Sequence, residues 1–139
     1  VTKRGEIRDQ QLGAQVRDYS GLRFGQITPT DIDGYIEYHG RAHVTWELKY
    51  RDTELPYGQR LALERNCDDL NNTRPAIAII ASHDARRGEV IDGANAIATE
   101  VRFNGKWMRI HGRTLGDVVE AFLRWIDVTG SQGGNEQVA

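Results

Sequence analysis

Three charged side chains, Asp33, Glu47 and Lys49, stand in a stretch that otherwise reads as a pair of strands, TDIDGYIEYHGRAHVTWELK at residues 30–49. A strand that must bury one face has little room for carboxylates or a lysine. Alternation puts Val44, Trp46 and Leu48 on one face and Thr45, Glu47 and Lys49 on the other. The preceding strand, Asp33 to Tyr38, folds back through a turn at His39-Gly40. A two-residue turn would set Ile36 against His43 and leave Asp33 on the side of Trp46. One extra residue in the connection sets Ile36 against Val44 and Asp33 against Glu47. The second register is the expected one, because it buries Ile36 with Val44 and Trp46. It also gathers Asp33, Glu47 and Lys49. Two carboxylates with a backbone carbonyl, here that of Leu48, make a hard-oxygen site of the kind Mg²⁺ takes. A lysine beside it suits proton handling, since its pKa moves readily on desolvation.

At these residues the chain resembles the PD-(D/E)xK nuclease superfamily, which includes restriction enzymes, Holliday junction resolvases and RecB-like nucleases. Asp33, then thirteen residues, then Glu47-Leu48-Lys49 is similar to its D…(D/E)xK core. The likeness covers Glu6 to Leu70, about half the chain. The run Pro29-Thr30-Asp31-Ile32-Asp33 departs from the pattern by offering two aspartates. Asp33 fits the spacing to Glu47 better, and Asp31 is the fallback. The resemblance implies an α/β fold, a restriction endonuclease-like mixed β-sheet flanked by helices in a single domain. It implies a Mg²⁺-dependent deoxyribonuclease, with Mn²⁺ able to substitute. Asp33, Glu47 and the Leu48 carbonyl would hold the metal, and Glu6 could add a carboxylate from a first helix. Lys49 would act on the attacking water or the transition state. Gln59 resembles the glutamine that some members place near the phosphate or the lysine. The implied ligand is DNA, branched DNA included, with a Holliday junction resolvase-like activity, and cutting two strands of a junction symmetrically calls for a homodimer.

Each of these residues has an ordinary structural reading as well. Asp31 and Asp33 suit turn caps, Glu47 and Lys49 an exposed strand pair, and Glu6 an acid favoured by a helix N-terminus. Gln59 suits a helix start. His39 and His43 flank the turn and read as solvent-facing, and His83-Asp84 as a loop pair. No third nearby carboxylate or histidine points to a zinc hydrolase. Trp107 and Trp125 read as core.

The rest of the chain must position this hairpin. Its 139 residues suit one domain, placed at 1–130 with a disordered tail at 131–139. A helix is expected over Glu6 to Tyr19, a short strand over Leu22 to Ile27, and a helix from Gln59 to Leu70 carrying Leu63 and Cys67. The apolar run Ala76 to Ala81 reads as a central strand. Asn95 to Phe103 reads as a strand with Ile97, Thr99, Val101 and Phe103 on one face. Asn104-Gly105 signals a hairpin into Lys106 to Ile110. Thr114 and Asp117 form a capping box for a last helix, with Val118, Val119, Phe122, Leu123 and Ile126 inward and Gly130 at its end.

Composition narrows the function. A net charge of −2 gives no global basic footprint for nucleic acid, but 15 of the 18 cationic residues are arginine. Lys3, Arg4, Arg8, Arg17, Arg23, Arg51, Arg60, Arg65, Arg86 and Arg87 are candidate phosphate contacts. The lone Cys67 forbids an intrachain disulfide or a cysteine-based zinc site. With no signal-peptide pattern and no stretch near the roughly 18 apolar residues of a membrane span, a cytoplasmic, intracellular protein is expected. A first residue of Val1 rather than Met suggests processing or a trimmed sequence. The length leaves no separate sequence-reading domain, so structure-directed or low-specificity cutting is expected. The alternative function is a non-catalytic nucleic-acid binding or assembly module on the same fold.

Overall fold

The structure, a computed structural model, describes residues 16–138, with side chains described as far as residue 130. The chain divides into two units, Val1–Asp31 and Ile32–Ala139. In the first, most of the helix expected over Glu6 to Tyr19 lies outside the described residues, as do Glu6, Lys3, Arg4 and Arg8. Its described end, Val16–Tyr19, is not helical. The strand expected over Leu22 to Ile27 is instead a tight reversal. Phe24 and Ile27 exchange both backbone hydrogen bonds, at 2.9 and 3.0 Å, across Gly25 at φ 66°. Too few apolar residues lie on either side to extend it.

The second unit is α/β. Its order is β1 (Gly34–Tyr38), β2 (Ala42–Tyr50), α1 (Tyr57–Asn71), β3 (Ala76–His83), β4 (Ile97–Phe103), β5 (Lys106–Arg109) and α2 (Leu115–Val138). A short 3-10 turn, Gly93–Asn95, precedes β4. The five strands lie in chain order in one mixed sheet, with only β2 and β3 parallel. That parallel pair needs a crossover, which α1 provides. The Ala76–Ala81 run is buried throughout in the central strand β3, as its continuous apolarity requires.

The β1–β2 register is the one that buries Ile36. Ile36 faces Val44 and Gly34 faces Trp46, with His39, Gly40 and Arg41 forming the connection. The extra residue is accommodated by positive φ at His39 (54°) and Gly40 (66°). Gly34 has a second reason to be glycine, because a methyl there would overlap the Trp46 indole. Against the reading from sequence, His43 is half-buried within β2, with Nδ1 2.7 Å from the Tyr35 hydroxyl.

Each face of the sheet carries one helix. On one, Ala42, Val44, Ile77, Ile79, Ala98 and Val101 meet Leu115, Val118, Phe122 and Ile126 of α2. On the other, Ala76, Ala78 and Ile80 meet Leu63 and Cys67 of α1. Burial pushes the Cys67 thiol up to about 12, so it behaves as a small apolar group. The capping box forms as expected: the Thr114 N–H donates to Asp117 at 3.0 Å and the Asp117 N–H to Thr114 Oγ1 at 3.1 Å. The helix it starts runs on past Gly130 to Val138.

Two expectations fail for local reasons. The register between β3 and β4 shifts at Ile80/Ala81, where Ala81 pairs with Ala98 and Ile80 with Glu100. The extra residue, Thr99, is a bulge that swaps faces. Ala98 is therefore buried and Ile97 is 51 % exposed, instead of Ile97 sharing a face with Val101. Trp125 is 46 % exposed rather than core, and lies edge-on to Phe103. Trp107 is half-buried, with its Nε1 donating to Glu64 at 2.8 Å.

Candidate functional site

The parallel strands β2 and β3 end together, and Asp33, Glu47, Leu48 and Lys49 lie toward that end. Asp33 stands just before β1, and its Oδ2 accepts the Leu48 N–H at 2.7 Å. Leu48 lies beyond the last ladder pair, Gly34 with Trp46, so a carboxylate takes the place of a strand partner. In an antiparallel ladder a residue's N–H and C=O point to the same neighbour. The Leu48 carbonyl is thus directed to the side on which Asp33 lies. Asp33 is exposed. Asp31, the fallback, belongs to the preceding unit.

Glu47 and Lys49 project from the α1 face of β2, opposite Ile80 and Ser82 of β3. Glu47 is 4 % exposed. Burying a carboxylate is unfavourable enough that packing alone does not select one mid-strand. Lys49 is half-buried and lines a polar cavity of about 360 Å³ with Glu54, Leu55, Arg60, Ile80, Glu100 and Arg109. A larger cleft of about 510 Å³ lies on the α2 face among Ile36, Trp46, Leu115, Val119 and Leu123. It is mainly apolar, and its Glu120 and Arg124 pair with each other. The polar cavity gathers Lys49 with Glu54, Arg60, Glu100 and Arg109, while Asp33 and Glu47 are not among its lining residues.

Gln59 is half-buried in the first turn of α1 and is not among the residues lining that cavity. Its neighbour Arg60 is. Arg60 donates twice to Glu100, at 2.8 Å from each terminal nitrogen, and its guanidinium lies 4.6 Å from the centre of the Trp107 ring. Arg60 is thus committed to Glu100 instead of being a free phosphate contact. Those hydrogen bonds hold the Glu100 carboxyl below the usual range against the opposing effect of burial, and the charges of Arg60, Arg109 and Lys49 add to the effect. Next to this pair, Arg102 grips Asp68 through two hydrogen bonds, at 2.7 and 3.0 Å. Asp68 is held low by that contact first. Glu100 and Arg102 were not singled out from sequence. The signal that marks Glu47, a charge inside an apolar strand, is present in IATEVRF too.

Among the described residues no three of His, Cys, Asp and Glu gather into a metal-holding group. Two carboxylates and one carbonyl fall below that count. A cation that keeps several waters can bind through one or two carboxylates plus a substrate phosphate. Asp33 is anchored by one oxygen on the Leu48 N–H, and Glu47 is the residue before Leu48. No helix among the described residues is long and apolar enough to cross a membrane. Comparison with protein-family models, curated proteins and solved structures finds no match to this chain.

Proposed function

We propose that the chain is a metal-dependent DNA endonuclease of the PD-(D/E)xK kind, acting on branched DNA as a twofold pair. The observation that carries this reading is the 2.7 Å hydrogen bond from the Leu48 N–H to Asp33. It ties the first acid of the motif to the strand that bears Glu47 and Lys49. A restriction endonuclease-like sheet would present its acids in this way, on a hairpin followed by a crossover helix. Asp33, Glu47 and the Leu48 carbonyl would hold Mg²⁺, which would supply an acidified water and counter-charge for the phosphate oxygens. Lys49 orients that water or neutralises charge developing on the phosphate. Glu100, held ionised by Arg60, keeps a negative charge near the Lys49 ammonium.

The test is cleavage of linear, single-stranded and four-way junction DNA. Cutting is expected with Mg²⁺ or Mn²⁺ and none in EDTA. Lys49→Ala is expected to slow cutting by roughly 10²–10³-fold, while DNA binding persists. Full activity in EDTA, or a Lys49→Ala rate equal to wild type, would overturn the reading. DNA binding without cleavage under any divalent cation would point instead to the non-catalytic nucleic-acid module.

A further inference from the structure

One row of residues crosses the sheet from β2 to β5: Glu47, Ile80, Glu100 and Arg109, each paired with the next on its neighbouring strand. Paired residues share a face, and here it is the α1 face. Glu100 reaches that face only because of the Thr99 bulge. Unbroken alternation from the buried Ala98 would turn Glu100 toward α2 and its apolar core. The bulge re-aims it at Arg60, the kind of adjustment bulges make beside functional sites. Lys49 of β2 and Arg109 of β5 stand on either side of Ile80 and Glu100, and all four line the polar cavity of about 360 Å³.

The charges of that cavity do not cancel. Its lining holds Lys49, Arg60 and Arg109 against Glu54 and Glu100. Each Glu100 oxygen accepts a hydrogen bond from Arg60, and the Trp107 ring backs the same guanidinium. That pair is a fixed wall. Lys49 and Arg109 have no ion pair among the described residues. Both nevertheless lie close enough to Glu100 for their charge to favour its ionised form. Two cations from different strands thus converge on one space, in which one acid is committed to Arg60 and the other, Glu54, is exposed on the loop before α1. The net charge of this lining disfavours a cation, and an apolar ligand finds only Leu55 and Ile80. A compact anion fits. The tetrahedral oxygens of a phosphate can meet a guanidinium fork and an ammonium at once.

We propose that this cavity is a phosphate site, in which Lys49 and Arg109 bind the phosphate oxygens from β2 and β5 and the Arg60–Glu100 pair holds the wall between them. Arg109 is then a binding residue that the pattern of Asp33, Glu47 and Lys49 does not mark. The proposal rests on the nuclease reading for the source of the phosphate, a DNA strand. A free phosphate offers the same oxygens.

Two titrations of the whole chain in metal-free buffer, where DNA stays whole, test this. In the first, inorganic phosphate is added and backbone amide shifts are followed by NMR, with acetate at matched ionic strength as the control. Phosphate should move the amides of Ile80, Glu100 and Arg109 saturably. Arg109→Gln should lose most of that response and Arg109→Lys should recover it. In the second, binding of a short duplex is measured by fluorescence anisotropy over a range of salt. Arg109→Gln is expected to lower the slope of log affinity against log salt by roughly 1, with the melting temperature unchanged. Lys106→Ala, on the same strand but outside the cavity, should leave the slope as it is. The lower slope assigns the site to DNA. A phosphate response with an unchanged slope keeps the site and gives it to a free phosphate. An equal response to acetate overturns the site, and so does a wild type without a phosphate response whose slope Arg109→Gln leaves unchanged. Cleavage with Mg²⁺ would then leave the nuclease reading standing. A wild type that takes phosphate but neither binds nor cuts DNA overturns the nuclease reading and leaves the site.

Discussion

Glu100 shares a cavity with Lys49, and Arg60 decides the charge that Glu100 carries there. Its carboxyl is held below the ordinary range, so it binds a proton less readily folded than unfolded. The stability it contributes is complete above the ordinary carboxylate pKa and is lost as pH falls through the lower folded value. Its side chain is 22 % exposed and that of Arg60 34 %, so solvent screens the pair only in part. Glu100→Gln is expected to lower stability by on the order of 1 kcal/mol near neutral pH, and by less at an acidic pH below the ordinary carboxylate range. Urea unfolding at the two pH values measures this, and an equal deficit at both would show that charge is not what the pair contributes. At this scale the sequence is most legible where a charge interrupts an apolar strand. That rule found Glu47 and Lys49, and applied to β4 it would have found Glu100 and Arg102. It does not say which residue of a helix turn reaches a cavity: Gln59, marked by the family resemblance, is not on the wall, and Arg60 is.

The β1–β2 hairpin depends on its register, and the register depends on small-residue chemistry at both ends. At the turn, Gly40 takes positive φ and its N–H bonds to the Glu37 carboxylate. At the open end, Gly34 lies under the Trp46 indole, leaving no room for a side chain. The apolar pattern alone selected this register, because a one-residue slip would have exposed Ile36. The β4 bulge shows the opposite case. Ile97, Thr99, Val101 and Phe103 alternate without a break in the sequence, and nothing in that pattern marks Thr99 as the extra residue. The bulge is fixed by tertiary contacts: Thr99 Oγ1 donates to the Ile80 carbonyl at 3.1 Å, and the Ile110 N–H donates to the Thr99 carbonyl at 3.0 Å. A methyl at position 34 must displace Trp46 or part the strands. Gly34→Ala is therefore expected to cost about 1–3 kcal/mol, read as a lower urea midpoint. Because Asp33 is the adjacent residue, a folded Gly34→Ala protein should also cut DNA more slowly. Wild-type stability would mean that Trp46 swings away freely and that the close approach does not hold the hairpin.

Across the whole molecule, the order of strands and helices from the motif hairpin onward was legible, because each element carries its own periodicity. The division at Asp31 was not, since it depends on how segments pack and not on any local signal. The same limit applies to assembly. A junction cut on two strands calls for two sites, and one chain carries one Asp33–Glu47–Lys49 set, so a closed twofold pair is the economical arrangement. The second hairpin carries two large aromatic side chains, Phe103 and Trp107. Both are used inside the chain: Phe103 packs on Phe122 and Trp125, and Trp107 on Glu64 and Arg60. Glutamate at either position should therefore unfold the protein instead of separating a pair. What the hairpin leaves outward is β5, which pairs only with β4 and carries exposed Lys106 and Arg109. Cations on an edge strand resist strand-to-strand pairing. The apolar surface that remains there is Met108, 52 % exposed, on the rim of a cleft shared with Trp125, 46 % exposed. If this rim joins two copies, light scattering should give twice the 15.7 kDa chain mass, and Met108→Glu should halve it with the fold kept. A wild-type mass of one chain at micromolar concentration would end the proposal of a twofold pair. A pair that survives Met108→Glu would move the interface off β5.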